Sequence, residues 1–552
     1  MPSADTAVVS VRDLTVGFHT ARGQVHAVQG VSFDLHAGRC LAIVGESGSG
    51  KSVTARTLVG LTGANADVEA TTLTLDGQDL TKLSDRQWRS VRGRRVGFVL
   101  QDALTSLDPV RTIGAEIGET LRNHRLATRS TMPDQVVELL AQASVPDPAR
   151  RAKQYAHQLS GGLRQRALIA SAVAARPDVL IADEPTTALD VVVQAQILEL
   201  LGAKKAEGTA LLLISHDLAV VARLADEIAV MRDGRIVERG TAEAVLRSPS
   251  HEYTKKLLAA VPSAHPKGTR LAGPRTGEPV ESTKDARSGP VVEVEAVSKS
   301  FVGPDGVRRT QVRDVSFTLA AGRILGLVGE SGSGKTTVAN MVLGLLEPDA
   351  GSVRVLDRPW SGQRESRRRP YRRHIQLVHQ DPLDAFDPRY TVERIVGEAL
   401  AAIGRTGDRR AQVTRWLHRV GLDEQLLDRR PRQLSGGQLQ RLAIARALAA
   451  EPDVLVCDEP VSSLDVSVQA QILDLLADLR ADLGLSLLFI SHDLGVVRHL
   501  CDDVLVMSDG EVVEAGPVED VLREPGHEYT KSLVAAIPRI EDAFPEESRV
   551  TS

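Results

Sequence analysis

Apolar and polar positions alternate over 8–18 (VVSVRDLTVGF) and again over 291–301 (VVEVEAVSKSF), which predicts a half-buried strand at the start of each half of the chain. Unbroken apolar runs follow at matching places: LAIVG at 41–45 and ILGLVG at 324–329 precede glycine-rich turns, while VLIADE at 179–184 and VLVCDE at 454–459 end in paired carboxylates. Runs this short without alternation are strands covered on both faces, the mark of a parallel sheet flanked by helices. Helical patterns fill the intervals, so the expected fold class is α/β, built twice.

The duplication is explicit in the motifs. GESGSGKS at 45–52 returns as GESGSGKT at 329–336, an offset of 329 − 45 = 284; QLSGG returns after 433 − 158 = 275, and ISHDL after 490 − 214 = 276. Order and spacing are kept, as in tandem copies of one domain. The offset falls by 284 − 275 = 9, which predicts a nine-residue insertion in the first copy, placed near 63–72. Between the copies, 263–290 is rich in Pro, Gly, Ser and charge without apolar periodicity and reads as a solvated linker. The expected organisation is a first domain at 1–262, the linker, a second domain at 291–538 and a flexible tail at 539–552.

Composition narrows the function classes. A chain of 552 residues is too long for one core, and 42% hydrophobic with 25% charged residues is ordinary globular composition. The formal charge of −5 gives no overall basic field, so nucleic acid is not expected as the main ligand. Three scattered cysteines, Cys40, Cys457 and Cys501, exclude a disulfide framework or a cysteine-rich metal site and fit a reducing compartment. The first residues carry no basic stretch followed by an apolar run, and nowhere do 18 apolar residues follow one another, so neither a signal peptide nor a membrane span is expected.

Chemistry is concentrated in the repeated motifs. In G-x-x-x-x-G-K-[ST], following a strand and opening a helix, glycines let backbone N–H groups converge on phosphate; Gly45, Ser47, Gly48 and Gly50 form one such loop, and Gly329, Ser331, Gly332 and Gly334 the other. Lys51 and Lys335 add positive charge, and Ser52 and Thr336 are candidate Mg²⁺ ligands. Asp183 and Asp458, at the ends of apolar strands, suit the same metal shell, and Glu184 and Glu459 are placed to polarise an attacking water as general base. Ser160, Gly161 and Gly162, like Ser435, Gly436 and Gly437, put a serine and two glycines at a helix N-terminus, where free N–H groups meet phosphate.

Lying between a glycine loop and an acidic strand, LSGGLRQR and LSGGQLQR make the chain resemble the ABC ATPase family over nearly all its length. The resemblance implies two P-loop domains, each a largely parallel sheet core with an antiparallel β subdomain and a helical subdomain, using ATP and Mg²⁺. It implies head-to-tail pairing in which Lys51, Ser52, Asp183 and Glu184 face Ser435–Gly437, and Lys335, Thr336, Asp458 and Glu459 face Ser160–Gly162. Gln101 and Gln380 match the loop glutamines that contact the metal, His216 and His492 the switch histidines on the γ-phosphate, and Asp190 and Asp465 the inter-domain aspartates. Phe18 and Phe301 are candidates for stacking on adenine, with core packing the alternative. Both catalytic sets are complete; Leu163 against Gln438 is the asymmetry, from which a difference in nucleotide contacts or rate is expected.

Finer resemblance is to the oligopeptide and dipeptide permease group. QDALTSLDPV, ADEPTTALDVVVQAQIL and HEYTKKLLAAVP are similar to one ATPase of that group, and QDPLDAFDPRYTV, DEPVSSLDVSVQAQIL and HEYTKSLVAAIP to its companion, as in a fusion of the pair. This implies two transmembrane permease subunits docking beside Gln101 and Gln380 in the stretches reaching Pro109 and Pro388, an extracytoplasmic solute-binding protein, and a peripheral place on the cytoplasmic face of the inner membrane. Two departures stand out. The extensions lack the cysteines that some members carry for an iron–sulfur cluster, and Glu252 and Glu528 replace the proline of a His-Pro-Tyr pattern, a change expected to alter local packing alone. A ribosome-associated twin-cassette factor is the rival reading; the short Pro/Gly-rich connector argues against it, as the missing zinc cysteines argue against an excision-repair ATPase.

Overall fold

A computed structural model describes residues 7–20, 23–101, 106–187, 189–275, 289–303, 306–462, 464–538, 540 and 544. The sequence-level docking stretch after Gln101 and the connector therefore lie partly outside the described residues.

The described residues fall into two compact units, the first drawn from 1–189, 193–258 and 538–552, the second from 190–192 and 259–537. In the first unit, β1 (Ala7–Thr20) and β2 (Gly23–His36) pair antiparallel, joined by β4 (Ala66–Glu69), β5 (Thr72–Leu75) and β6 (Gln78–Asp79). The predicted alternation holds, with a phase change: Val9 and Val11 point inward, then Leu14 and Val16, because Asp13 at φ 52° forms a bulge between Val11 and Leu14. The second unit repeats the device at Ala296, φ 49°, between Val294 and Val297.

The second sheet of the first unit is six-stranded, in the order β11 (Arg235–Thr241), β10 (Glu227–Arg232), β3 (Cys40–Val44), β9 (Ala210–Ile214), β8 (Val179–Asp183), β7 (Val96–Val99). All pairings are parallel except β10 with β11. β3, β8 and β9 are buried along their whole length, so they could be apolar throughout. Three longer helices, Ile113–Asn123, Met132–Gln142 and Gly161–Val173, lie in sequence between β7 and β8 and make the helical subdomain.

In the second unit, β12 (Pro290–Val302), β13 (Arg308–Ala320), β15 (Ala350–Val355) and β16 (Arg358–Pro359) form the antiparallel sheet. β14 (Ile324–Gly329), β17 (Ile375–Val378), β18 (Val454–Asp458), β19 (Ser486–Ile490), β20 (Asp503–Ser508) and β21 (Glu511–Pro517) run in the order β17-β18-β19-β14-β20-β21. Both units thus carry the expected mixed α/β architecture.

The insertion is split. Leu73 and Val353 occupy equivalent places opposite Val11 and Val294, an offset of 353 − 73 = 280, so four of the nine residues fall before β5, where β4 pairs with Thr15–Phe18 and the described residues of the second unit keep only the pairing of Ser298 with Ala350. Most of the rest accrue between Gln101, at 380 − 101 = 279, and Gln158, at 275, within the helical subdomain. A single offset change cannot show that two places share it.

The described part of the connector is largely exposed, as expected, but it is anchored at points. Pro262–Ala264 form a 3₁₀ turn, Leu271 is 6% exposed, and the segment up to Arg275 is fastened to the second unit. Polar residues there pair with acids on the helix Val466–Leu483, so an exposed, polar segment is nonetheless held in place.

Candidate functional site

β3 delivers the chain into the loop 45–50, and the helix Lys51–Thr57 leaves it. Gly45 at φ 151° has no room for a side chain: a Cβ would lie 2.1 Å from the carbonyl oxygen of Met231. Gly329, also at φ 151°, is held the same way, 2.2 Å from the Met507 oxygen. The loop is thereby pressed against the sheet, and Lys51, 6% exposed, curls back so that Nζ donates to the carbonyls of Gly45 and Glu46, both at 2.7 Å. Lys335 does likewise to Gly329 at 2.8 Å and Glu330 at 2.7 Å. Burial lowers the affinity of Lys335 for its proton, offset in part by Glu459 and Asp458.

The acids arrive on β8 and β18. Ser52 Oγ donates to Asp183 Oδ1 at 2.9 Å, and Thr336 hydrogen-bonds Asp458. Asp183 is fully buried and its Oδ2 has no hydrogen-bond partner, an unsatisfied anionic oxygen beside a hydroxyl. Burial raises the pKa of both aspartates, an environment that a cation would relieve. Among the described residues no group of three or more His, Cys, Asp or Glu could hold a metal. The donor set therefore fits a hard cation that takes only a hydroxyl and a carboxylate from protein and the rest of its oxygens from phosphate and water.

Glu184 and Glu459 adopt φ 48° and 47°, a left-handed backbone that glycine favours, yet a carboxylate stands there in both copies. Glu184 receives Gln101 Nε2 at 3.1 Å and Thr187 Oγ1 at 2.9 Å, and its Oε1 lies 3.1 Å from His216 Nδ1. Glu459 receives Gln380 Nε2 at 3.0 Å and lies 3.3 Å from His492 Nδ1. Burial opposes charge on each member of these pairs, but the Glu–His hydrogen bond wins: both glutamates sit below their ordinary pKa, both histidines above theirs. Each unit thus sets a glutamate and a histidine so that each favours the charged form of the other, next to a lysine loop and an aspartate.

The family profile of ABC transporters matches residues 28–187 and 312–462, the two stretches that contain these loops and acids. The chain belongs to the ATP-binding subunits of ABC transporters. The profile of the oligopeptide/dipeptide transporter C-terminal region matches 237–289 and 513–549, so this ABC ATPase is of the peptide-transporter type. It is 43% identical to the peptidoglycan transport ATP-binding protein YejF of Agrobacterium fabrum over 97% of each chain. It is 41% identical to the glutathione import ATP-binding protein GsiA of Salmonella choleraesuis, over 98% of this chain and 91% of that one. A solved chain from the complex of the archaeal ribosomal stalk protein aP1 and the ribosome recycling factor aABCE1 superposes with a TM-score of 0.60 over 92% of this chain and 91% of that one, but at 20% identity the likeness is one of fold alone. Among the described residues, no helix of the ABC ATPase is long and apolar enough to cross a membrane.

The remaining motif residues of the ABC ATPase are placed as follows. Ser160 caps the helix Gly161–Val173, its Oγ accepting from Leu163 N, and Ser435 caps Gly436–Leu448. Leu163 against Gln438 proves to be a difference in capping: Gln438 Oε1 accepts from Ser435 N at 3.0 Å and closes a capping box that leucine cannot make. A Cβ on Gly437 would meet Val468 Cγ1 at 2.6 Å and one on Gly162 would meet Val193 Cγ1 at 3.0 Å, so the second glycine of each pair serves helix packing. A Cβ on Gly161 would meet nothing within 4 Å, so packing does not demand glycine there. Asp465 caps the helix Val466–Leu483, accepting from Val468 N at 3.0 Å. Phe18 packs partly into the antiparallel core, whereas Phe301 is 43% exposed, with Lys299 Nζ 6.0 Å from its ring centre.

Two contacts were not anticipated. The hydroxyl of Tyr253 accepts from the backbone N–H of Glu46 at 3.1 Å, and Tyr529 from Glu330 at 2.8 Å, so the HEYT helices reach the phosphate loops directly. Recurrence of HEYT in both halves was the available signal. Glu252 and Glu528, the departures from His-Pro-Tyr, are largely exposed and pair with Lys255 and Lys531. Thr187 on Glu184 was likewise not singled out.

Proposed function

We propose that this ABC ATPase closes its two units head to tail over two ATP molecules and thereby drives import of peptide-like solutes through two permease subunits fed by an extracytoplasmic binding protein. The carrying observation is the duplicated carboxylate–imidazole pair beside a lysine and a strand-end aspartate, present without loss in both units. Lys51 and Lys335 leave their carbonyl partners to hold the β- and γ-phosphates. Glu184 and Glu459, ionised, take a proton from water as its oxygen attacks the γ-phosphorus and the bond to the bridging oxygen breaks, giving ADP and phosphate. His216 and His492 donate a ring N–H to the γ-phosphoryl oxygens as charge builds there. Ser52 with Asp183, and Thr336 with Asp458, aided by Gln101 and Gln380, would hold Mg²⁺, which would neutralise charge on the phosphates. Ser160–Gly162 and Ser435–Gly437 supply the capped helix ends that close each site from the opposite unit.

The names of the relatives, peptidoglycan transport and glutathione import, support small peptidic cargo and a peripheral place on the cytoplasmic face of the membrane. The test is co-purification from membranes with the permeases, followed by ATP turnover against a panel of dipeptides, oligopeptides, glutathione and muropeptides. Stimulation by one class identifies the cargo; pelleting of Glu184→Gln/Glu459→Gln protein with ribosomes, and no permease partner, overturns the reading. Lys51→Ala with Lys335→Ala must abolish nucleotide binding.

A further inference from the structure

The second unit carries the described part of the connector. Pro262–Arg275 lies along the helices Val466–Leu483 and Leu494–Leu500. Its anchors are specific. The backbone N–H groups of Leu271 and Ala272 donate to the buried carboxylate of Asp474 at 3.1 and 2.9 Å. Arg270 binds Asp478 at 2.7 Å, and Arg275 binds Asp482, so three acids at four-residue spacing on one helix face hold three successive parts of the segment. Lys267 Nζ donates to the carbonyl of Cys501 at 2.6 Å and to Asp502 at 2.7 Å. Asp502 in turn accepts from the N–H of Ile324, where β14 begins its course to the glycine loop.

The equivalents in the first unit face solvent. Asp474 and His499 correspond to Glu199 and Arg223, by offsets of 275 and 276, and there the two are an exposed ion pair at 3.8 Å. In the second unit His499 is 7% exposed, its ring held by the backbone of His265 and Thr269.

Ser263 gives the segment a route to the chemistry. It packs on Gly495, where a Cβ would lie 3.1 Å from Ser263 Cβ and 3.1 Å from Asp493 Oδ1. Asp493 caps the helix, accepting from Gly495 N at 2.8 Å and Val496 N at 3.1 Å, and it directly follows His492. In the first unit Asp217 makes the same cap to Ala219 at 2.9 Å and Val220 at 3.3 Å, so the cap itself accepts a methyl group. The contact with Ser263 is therefore what reserves position 495 for glycine.

We propose that Pro262–Arg275 is a positioning strap of the second ATP site: through Ser263 on Gly495 it fixes the first turn of the helix Leu494–Leu500 and so holds His492 on Glu459. The inference rests on the reading of Glu459 and His492 as ATPase residues, and the two units thereby differ in how tightly their switch histidines are set.

The test uses the full-length chain in two backgrounds, Glu184→Gln, where the second site carries turnover, and Glu459→Gln, where the first does. In the Glu184→Gln background Gly495→Ala is expected to lower kcat about tenfold while KM for ATP moves less than about twofold. Adding Ser263→Gly, which removes the opposing Cβ, is expected to restore most of that loss. In the Glu459→Gln background Gly495→Ala is expected to leave turnover as it was. Leu271→Ala with Asp474→Asn, which frees the strap without filling position 495, should show the same split should Gly495→Ala fail to fold by thermal melting. Equal losses in both backgrounds, or no recovery with Ser263→Gly, overturn the proposal. Turnover surviving in Glu184→Gln/Glu459→Gln overturns instead the ATPase reading beneath it.

Discussion

Tyr253→Phe isolates one oxygen. The ring stays buried at 5% exposure and keeps Arg232 over its face at 5.0 Å, while the acceptor for the Glu46 N–H disappears. The carbonyl of Glu46 takes the ammonium of Lys51, so the bond to Tyr253 steadies a residue that places the phosphate-binding lysine. A neutral hydrogen bond is worth about 1 kcal/mol net, and a partly buried N–H left without an acceptor costs somewhat more, so about 1–1.5 kcal/mol is expected here. That corresponds to a loss of about five- to tenfold in ATP affinity at the first site. Titration with a fluorescent ATP analogue in the Glu184→Gln/Glu459→Gln background, where turnover does not interfere, measures it. Tyr529→Phe removes the equivalent bond to Glu330, which is open to solvent although the ring is half-buried, so water substitutes and the cost should be about twofold or less. Binding by Tyr253→Phe within twofold of the parent, or a larger loss with Tyr529→Phe, would refute the argument that the hydroxyl positions the loop.

Three further outcomes are expected. Because Glu184 is held below its ordinary pKa of 4.5 and His216 above 6.5, the pair's stabilisation is complete between those values; it fades as pH rises through the raised histidine value or falls through the lowered glutamate value. The melting difference between parent and His216→Ala should therefore be largest near pH 5.5–6 and shrink on both sides. Gly437→Ala should destabilise by about 1–3 kcal/mol through its clash with Val468, whereas Gly161→Ala, with open space around it, should leave melting unchanged and lower turnover. Leu163→Gln should complete the missing capping box and raise stability by about 0.5–1 kcal/mol in a denaturant melt, and no gain would mean that the Ser160 end is shaped by other contacts.

Glycine loops, acid-ended strands and serine caps were legible because each is a short string whose chemistry follows from local backbone geometry. The glutamate–histidine pairs were half legible: Glu184 and His216 were named for separate tasks, but their mutual ionisation depends on a 3.1 Å approach between the ends of two neighbouring strands. The Tyr253 contact spans 207 residues and has no local signature. The segment through Arg275 was legible as exposed but not as anchored, since nothing in a Pro/Gly-rich stretch with one leucine tells that acids 203 to 208 positions onward face it. The bulges at Asp13 and Ala296 were hidden because the hydrophobic pattern shifts phase by a single residue.

The backbone of Glu184 and Glu459 has a practical corollary for anyone breeding a hardier version of the motor. Glycine or asparagine at either position would relax a conformation that glutamate adopts at a cost of about 1 kcal/mol or more. A selection for heat resistance alone should therefore enrich such replacements and return catalysts that survive longer and do nothing, so any such campaign has to score transport alongside endurance.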